Sequence, residues 1–508
     1  MKRPFVSPVA LVGILVSLVT LGWLSWIVYN FSSTSAAYSI FGDEGVFLTG
    51  ADRILQGEMP YRDFITYLSP GAYYPLAGFF HLFGENYVVA RTFLLLNIIG
   101  IIAAMYWLAW PLLRWWSFLP VVVFSFLIFP AWPFVSHHWQ FLVFALLSTC
   151  CLFYRTVRWR IVGGILAGIS FAVFPEKGIF VLAAHVTILT LTGFRNVRSL
   201  IAPIVTYVVS FSLPVVAGVW WLVSNGVWRS FLQQAFVDMI TYYPKQVQPF
   251  AFFTFNNIAF LTFLGFIGLG LVLMINRRLS AFPWKPFATV YLLHIFLSFS
   301  VWYHIELYHL LQIIAPFTIL MFAAVLVFFR NRKAILQTYS MVGTAALAFS
   351  TIVVSVSVLF ALAFQSSYGA GMGMSDNFSR LSTLRGNIAL NHYKTPALVD
   401  EYATVSQLAT TTLAGKHVFF LPYAPGFYYF LGLRNVTSFD FMVTDTIPPA
   451  YFEKFKKELE NIDAVVFLLT SWQSFDTQGA IMQMIRESFL HHQELLQGRV
   501  QVFSRTPL

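Results

Sequence analysis

Charged residues are scarce in this sequence. Only 10% of its 508 residues are Asp, Glu, Lys or Arg, and 58% are hydrophobic, whereas soluble domains carry about 25% charged residues. This deficit excludes an ordinary soluble fold. Cysteine is nearly absent as well, because its two copies, Cys150 and Cys151, are adjacent within one apolar run. A disulfide framework and a CxxC-type zinc site are therefore both excluded.

Long apolar runs are present instead, and they recur from Pro8 to Phe364. A helix that crosses a hydrocarbon core of about 30 Å needs about 20 apolar residues. The fold class is therefore predicted to be mainly α, a polytopic membrane helix bundle of about eleven transmembrane helices. The predicted spans are 9–29, 88–110, 116–131, 138–154, 161–175, 178–193, 201–223, 252–275, 286–302, 308–328 and 338–364.

The composition turns polar past Gln365, and this shift predicts a domain boundary. Residues 1–364 would form the transmembrane module, and residues 365–508 a soluble domain. In the second part, strand-like runs (HVFFLP, DAVVFLL and RVQVFS) alternate with helical stretches at 396–413, 449–461 and 478–496. This alternation predicts a small C-terminal α/β domain. The segment 423–429 is expected to overhang the membrane site and to act in acceptor binding.

Basic residues predict the orientation in the membrane, because cytoplasmic loops are enriched in Lys and Arg. With eleven spans, fourteen basic residues and no acidic residue fall on the side of the N-terminus. The N-terminus is then cytoplasmic and the C-terminal domain extracytoplasmic, in a multi-pass protein of a bacterial inner or plasma membrane. To keep this partition, Pro70–Gly84 must be a juxtamembrane or re-entrant segment of irregular backbone rather than a span. The fourteen residues are Lys2, Arg3, Arg114, Arg155, Arg158, Arg160, Arg195, Arg198, Arg277, Arg278, Lys285, Arg330, Arg332 and Lys333.

The first outer loop, about 30–87, carries the most acidic side chains of any predicted loop. Apolar residues at helical spacing predict a short interfacial helix over Glu44–Leu55, starting near Asp43. Asp43 and Glu44 have two readings. Asp43 is either the N-cap of this helix or a general base at the membrane surface that takes a proton from an acceptor hydroxyl.

Arg62 and Asp63 follow in the same loop and also have two readings. Asp63 would form a salt bridge with Arg62 or Arg53 that fixes the loop, or it would act in the site. The two arginines are equally suited to an anionic lipid head group.

Two further outer segments carry candidate phosphate ligands. His137 and His138 lie beside interfacial tryptophans, where they would bind a phosphate or a metal, or have no role. Lys177 lies in the tight loop Phe174–Gly178, close to membrane depth, where it would contact a phosphate oxygen or pair with Glu176.

Later outer loops add weaker candidates. Lys245, with Tyr242 and Tyr243, would clamp a lipid-linked head group. The dense polar segment WYHIELYHLLQ indicates a lined site at a helix mouth. Its candidate residues are His304, Glu306, Tyr308 and His309.

The position of Asp43-Glu44 after the first helix resembles the hallmark of polyprenyl-phosphate-dependent glycosyltransferases of the GT-C fold. The segments GADRILQGEMPYRDFITYLSPGAYYPLAGFFHLFGENYVVAR, GGILAGISFAVFPEKG and YHIELYHLLQIIAPF are similar to glycosyltransferase family 39, with the protein O-mannosyltransferases and the lipid A aminoarabinose transferases. The resemblance covers residues 1–330. It implies Asp43 as catalytic base, Glu44 as an assisting carboxylate, Lys177 at the donor phosphate and Arg91 as the arginine that closes the first-loop motif.

Two positions depart from that family. The stretch Tyr67–Pro70 is uncharged where many members have an acidic–basic pair, so its phosphate or acceptor contacts must differ. His137 and His138 stand where relatives often carry an aspartate, which leaves the use of a divalent metal open.

The resulting prediction is an inverting membrane glycosyltransferase, a hexosyl- or pentosyltransferase of glycan biosynthesis in the cell envelope. The donor would be a sugar linked to polyprenyl phosphate, and the acceptor a hydroxyl of a glycan, lipid or protein. The lipid bilayer is an expected partner and nucleic acid is not, and no organic cofactor is expected. The alternatives are a transporter or flippase of lipid-linked sugars, which predicts mid-membrane charges and inverted repeats, and a non-enzymatic envelope assembly protein.

Overall fold

A computed structural model describes residues 8–30, 42–154, 156–193, 197–242, 283–301, 311–323, 326, 378–391, 396–443, 447–469 and 479–507. In these ranges the chain is mainly helical, with two small sheets near its C-terminus. The helices up to residue 323 are α1 Pro8–Asn30, α2 Asp43–Leu55, α3 Pro70–Phe83, α4 Tyr87–Leu113, α5 Phe118–Val123, α6 His137–Cys151, α7 Val157–Val173, α8 Pro175–Gly193, α9 Val197–Ser224, α10 Trp228–Leu232, α11 Met239–Tyr242, α12 Trp284–Phe299 and α13 Leu311–Ala323.

Three stretches among the described residues are long and apolar enough to cross a membrane: Val12–Tyr29, Tyr87–Phe126 and Leu200–Ser224. Their outer surfaces expose large apolar side chains such as Leu15 and Trp220, at 62% and 70% exposure. Lipid, rather than water, is the medium in which such surfaces are stable. The chain is therefore an integral membrane protein. The predicted spans 252–275 and 338–364 lie outside the described residues.

The segment Pro70–Gly84 corrects one expectation, because its backbone is a regular helix, α3, of 14 residues. Pro70 fits the start of a helix, where its missing N–H is not needed. The helix begins against α7, since the Ser69 hydroxyl, a single donor, lies within hydrogen-bonding distance of the Ala172 and Val173 carbonyl oxygens, at 2.8 and 2.6 Å. A side chain at Gly71 would place its Cβ 2.5 Å from the Ala172 carbonyl oxygen, so this contact requires glycine.

Helices α7 and α9 pack closely through two glycines spaced by four residues. A Cβ on Gly164 would lie 2.5 Å from the Tyr207 carbonyl oxygen, and one on Gly168 would lie 2.3 Å from that of Phe211. Membrane helices associate through such small residues because the lipid provides no hydrophobic force between them.

The C-terminal region contains the predicted mixture of helices and strands. Its strands are β1 Phe378–Thr383, β2 Gly386–Asn391, β3 Val418–Leu421, β4 Ala464–Leu468, β5 His491–Leu495 and β6 Val500–Ser504, and its helices are α14 Pro396–Thr410, α15 Gly426–Leu431, α16 Phe452–Glu458 and α17 Ala480–Ser488. One sheet is the antiparallel hairpin β1–β2. The other has the order β3-β4-β6-β5, with β3 and β4 parallel and the remaining pairs antiparallel. The predicted helix 478–496 is wrong in its second half, which is β5, because that strand pairs with β6.

Helix α2 corrects a second expectation. The sequence predicts an amphipathic helix on the membrane surface, but the residues from Glu44 to Arg53 are buried. The C-terminal region covers them. The Thr49 hydroxyl donates to the Pro425 carbonyl at 2.8 Å, and Arg53 Nη1 lies 2.6 Å from Asp440 Oδ1. The first loop and the C-terminal region thus share one buried interface.

Candidate active site

Asp43 is the first residue of α2 and is half-buried. The N-cap position belongs to Gly42, so Asp43 is not the N-cap residue but the first residue of the helix, in its acidic first turn. The Tyr423 hydroxyl instead donates to Asp43 Oδ1 at 2.7 Å. Tyr67 also lies near, since burial and the Asp43 carboxylate together raise the pKa of the Tyr67 hydroxyl. Asp43 is therefore located between the first loop and the C-terminal region.

Glu44 is fully buried and holds three elements together. Its Oε2 accepts from the Tyr87 hydroxyl at 3.0 Å, and its Oε1 accepts from Arg91 Nη1 at 3.0 Å and from the Val135 N–H at 2.9 Å. Arg91 in turn donates to the Val28 carbonyl of α1 at 2.6 Å. A buried carboxylate requires such partners, because an unpaired one is strongly unfavourable. This geometry suits a residue that positions Asp43 and the turn before α6.

His137, His138, Phe174 and Lys177 form a second group, the histidine–lysine cluster. Ser136 caps α6 by accepting the His138 N–H, which places both histidines in the first turn of that helix. The Phe174 ring centroid lies 4.4 Å from that of His137 and 5.2 Å from that of His138. The Lys177 ammonium lies 4.8 Å from the same phenyl centroid. All three predicted phosphate ligands thus surround one aromatic ring.

Two contacts connect the histidine–lysine cluster to the start of α2. Phe47, one turn after Asp43, lies with its ring centroid 5.4 Å from that of His137. Glu44 binds the backbone of Val135, two residues before the same histidine. The helix that begins at the predicted base therefore packs against the turn that carries the predicted histidine ligands, more than 90 residues away in the chain.

The two histidines differ in their hydrogen bonding. The Nδ1 atom of His138 is bonded to the Gln312 amide of α13. The Nδ1 atom of His137 is buried and has no hydrogen-bond partner among the described residues. A buried polar atom of this kind calls for an explanation, and a ligand is one. No group of three or more His, Cys, Asp or Glu in the described parts of the chain is arranged to hold a metal ion.

Arg62 and Asp63 pair with each other at the surface of the loop. Arg62 Nη2 lies 2.7 Å from Asp63 Oδ2, with 55% and 32% of the two side chains exposed. Hydrogen bonding to Arg62 lowers the pKa of Asp63, and the Met59 N–H donates to the same carboxylate at 2.7 Å. The salt-bridge reading of this pair matches the geometry. Arg53 is only 4% exposed, so an anionic lipid head group would have access to Arg62 alone.

The remaining predicted site residues fall outside the described parts of the chain. They are Lys245, His304, Glu306, Tyr308 and His309.

An open pocket lies between α2, the first loop and the C-terminal region. Its walls include Val46 of α2, Tyr67 of the first loop and Phe441 of the C-terminal region. Val46 is three residues from Asp43 on the same helix, and Phe441 packs against Tyr423 with ring centroids 4.8 Å apart. Val46 lines this pocket, and the next residue, Phe47, contacts both His137 of the cluster and Tyr73, which lines the same pocket.

Sequence reasoning missed most of the residues that assemble the site. Arg53 with Asp440, and Arg385 with Asp52, join segments more than 300 residues apart, and no local pattern reveals such pairs. Glu44 and Arg91 offered one signal, since each is a charge next to an apolar run and each needs an opposite partner.

Comparisons with known proteins identify the fold. Two solved structures of ArnT from Cupriavidus metallidurans superpose on this chain. The one bound to undecaprenyl phosphate has a TM-score of 0.61 and 12% identity, and the alignment covers 98% of this chain and 99% of ArnT. The apo structure has a TM-score of 0.58 and 13% identity, with coverages of 98% and 97%. No family model and no curated protein sequence matches the chain.

Proposed function

We propose that this chain, an integral membrane protein with the GT-C fold, is a glycosyltransferase that moves a sugar from a polyprenyl-phosphate donor to an acceptor hydroxyl. The fold likeness to ArnT supports the class of donor, since one of the ArnT structures is bound to undecaprenyl phosphate. At 12% identity this likeness gives neither the sugar nor the acceptor. The proposed reaction therefore rests on the chemistry of the site residues of this chain.

The reaction needs a base on one side of the sugar and a stabiliser of the departing phosphate on the other. Asp43 takes the proton of the acceptor hydroxyl as its oxygen attacks the anomeric carbon. The bond from that carbon to the phosphate oxygen breaks, and its electron pair leaves with polyprenyl phosphate. Lys177 and the His137 imidazole stabilise the negative charge of the leaving group. A single in-line displacement of this kind inverts the anomeric centre.

The observation that carries the proposal is the junction between the start of α2 and the histidine–lysine cluster. Phe47 and Glu44 bring the helix that begins at Asp43 against the first turn of α6. A buried ammonium at Lys177 and an unbonded imidazole nitrogen at His137 lie around one phenyl ring there. Cationic and hydrogen-bonding groups in a water-poor site interact strongly with a phosphate.

The acceptor would reach the start of α2 through the pocket between the first loop and the C-terminal region, which Val46 lines. The donor phosphate would lie at the histidine–lysine cluster, which Phe47 of the same helix contacts. By the distribution of basic residues, both lie on the extracytoplasmic face. Arg62 and Asp63, at the rim of the loop, would remain near the lipid head groups.

Asp43→Asn tests the proposal in full-length protein reconstituted into vesicles and given labelled polyprenyl-phosphate sugars, one neutral and one amino sugar. The amide keeps the oxygen that accepts from Tyr423 but is no base, so transfer should fall by about 10²- to 10⁴-fold. Asp400→Asn is the matched control, since Asp400 is an exposed acid of α14 that pairs with Arg499. Full transfer by Asp43→Asn would exclude Asp43 as the base. No transfer by the wild-type protein would support an envelope assembly protein instead, and transbilayer movement of the donor without transfer would support a flippase.

A further inference from the structure

We propose that Tyr423, a residue of the C-terminal region, positions the Asp43 carboxylate for proton abstraction. The inference deepens the proposed function and rests on it. The Tyr423 hydroxyl donates to Asp43 Oδ1 at 2.7 Å, across 380 residues of sequence. The C-terminal region thereby contributes a side chain to the site in addition to covering it.

The turn that carries Tyr423 is held at both ends. On its N-terminal side, the Pro422 carbonyl accepts from the Met442 N–H at 2.9 Å. On its C-terminal side, the Pro425 carbonyl accepts from the buried Thr49 hydroxyl at 2.8 Å. Thr49 lies on α2, the helix that begins at Asp43, so the tyrosine and the carboxylate share one rigid support.

The tyrosine ring is fixed as well. Phe441 packs edge-on against it, with ring centroids 4.8 Å apart and planes at 77°. A preorganised donor of this kind loses little entropy when its hydrogen bond forms. The Tyr423 hydroxyl is thus directed at Asp43 before any substrate binds.

This hydrogen bond has two consequences for a base. It fixes the carboxylate rotamer, so that the base is held in one defined orientation. It also favours the charged, basic form of the aspartate. Tyr423 transfers no proton itself and is a positioning residue. The titratable groups near Asp43 include Tyr67 of the first loop and Glu44, which is engaged with Arg91.

Tyr423→Phe tests this role, because it removes one hydroxyl and keeps the ring against Phe441. In the reconstituted full-length protein with labelled donor, kcat should fall by about 10- to 100-fold, the range for losing a hydrogen bond to a charged group. The KM for the donor should stay within about twofold, because the histidine–lysine cluster is unchanged. The acidic limb of the pH profile of kcat/KM should move upwards by about one pH unit, since the carboxylate loses a donor that favours its charged form.

Tyr207→Phe is the matched control. It removes a tyrosine hydroxyl that donates to the Gly163 carbonyl at 3.3 Å where α9 packs against α7, remote in sequence from the first loop and the C-terminal region. It should retain the wild-type kcat and pH profile.

Three outcomes overturn the positioning role: an unchanged kcat in Tyr423→Phe, an unshifted acidic limb, or a fall in kcat accompanied by a lower unfolding temperature than that of the control. Asp43→Asn separates this failure from a failure of the proposed function. If Asp43→Asn abolishes transfer while Tyr423→Phe behaves as wild type, only the role of Tyr423 is lost. If Asp43→Asn retains transfer, both inferences fall.

Discussion

Asp440→Asn removes the charge that joins the C-terminal region to the first loop. Asp440 Oδ1 lies 2.6 Å from Arg53 Nη1, and each side chain is 4% exposed. Arg53 also bonds Glu58 at 2.6 Å and the Thr437 carbonyl at 2.8 Å, and its guanidinium lies 4.8 Å from the Phe64 ring centroid. The substitution leaves this guanidinium buried and retains only Glu58 as its carboxylate partner.

The size of the expected destabilisation follows from the burial of the Arg53–Asp440 ion pair. Removing one partner of a buried ion pair destabilises by about 3–5 kcal/mol, because the other charge stays desolvated. Glu58 still compensates part of the charge, so the lower end, about 3 kcal/mol, applies here. This corresponds to roughly a 100-fold change in the equilibrium between the docked and the open C-terminal region.

Hydrogen exchange measures that equilibrium directly, since local opening governs the exchange of protected amides. Amides of α2 and α15 should exchange roughly 100-fold faster in Asp440→Asn. Arg62→Gln is the control, because it breaks the exposed Arg62–Asp63 pair, and exposed pairs contribute little to stability. Exchange within about threefold of wild type in Asp440→Asn would refute the reasoning, since the buried pair would then not hold the two parts together.

Two further predictions concern the donor site and the pH dependence of the same interface. Lys177→Gln should weaken the binding of undecaprenyl phosphate by about 10- to 100-fold, because a charge-assisted hydrogen bond is lost. The control variant Lys454→Gln, at an exposed position, should bind it as the wild type does. If thermophoresis gave Lys177→Gln the wild-type affinity, Lys177 would be excluded from the phosphate site. Burial raises the pKa of Asp52 to about 6 from 3.8, with Arg385 opposing the shift and Glu85 adding to it. Between these values the folded state holds a proton that the unfolded chain has released, so stability should fall as pH rises from about 4 to about 6 and stay level above. Asp52→Asn should remove this fall in thermal unfolding scans, and an unchanged pH dependence would contradict the assignment to Asp52.

Much of the transmembrane part was predictable because its pattern is local. Hydropathy located α1, α4 and α9 to within a few residues of their observed ends, since only helices of sufficient apolar length satisfy their backbone within lipid. The helix starting at Asp43 was also predicted correctly. The regular backbone of α3 was not predicted, because two prolines in a short apolar run are typical of an interrupted helix. In the structure the run is one helix, whose start packs against α7.

The candidate site was likewise predictable in part: its residues could be named from the sequence, but their grouping could not. Asp43, Glu44, His137, His138 and Lys177 stood out by sequence alone, since ionisable groups beside apolar runs need a partner or a function. Their grouping around Phe174 and Phe47 was not predictable, because it depends on how α2, α6 and the turn before α8 meet. The amphipathic pattern of α2 predicted that this helix lies on the membrane surface, whereas in the structure it is buried under the C-terminal region.

The sequence by itself determined that the chain is a membrane helix bundle, where its apolar helices lie and which ionisable residues are costly enough to matter. These properties follow from the free energy of transferring each side chain between water and lipid, which depends on the local segment alone. The tertiary structure decided which of those residues meet. Tyr423 on Asp43, Arg91 on Glu44 and Asp440 on Arg53 are contacts between distant segments, and only the packing of the whole chain selects among the many pairings that the charges would allow.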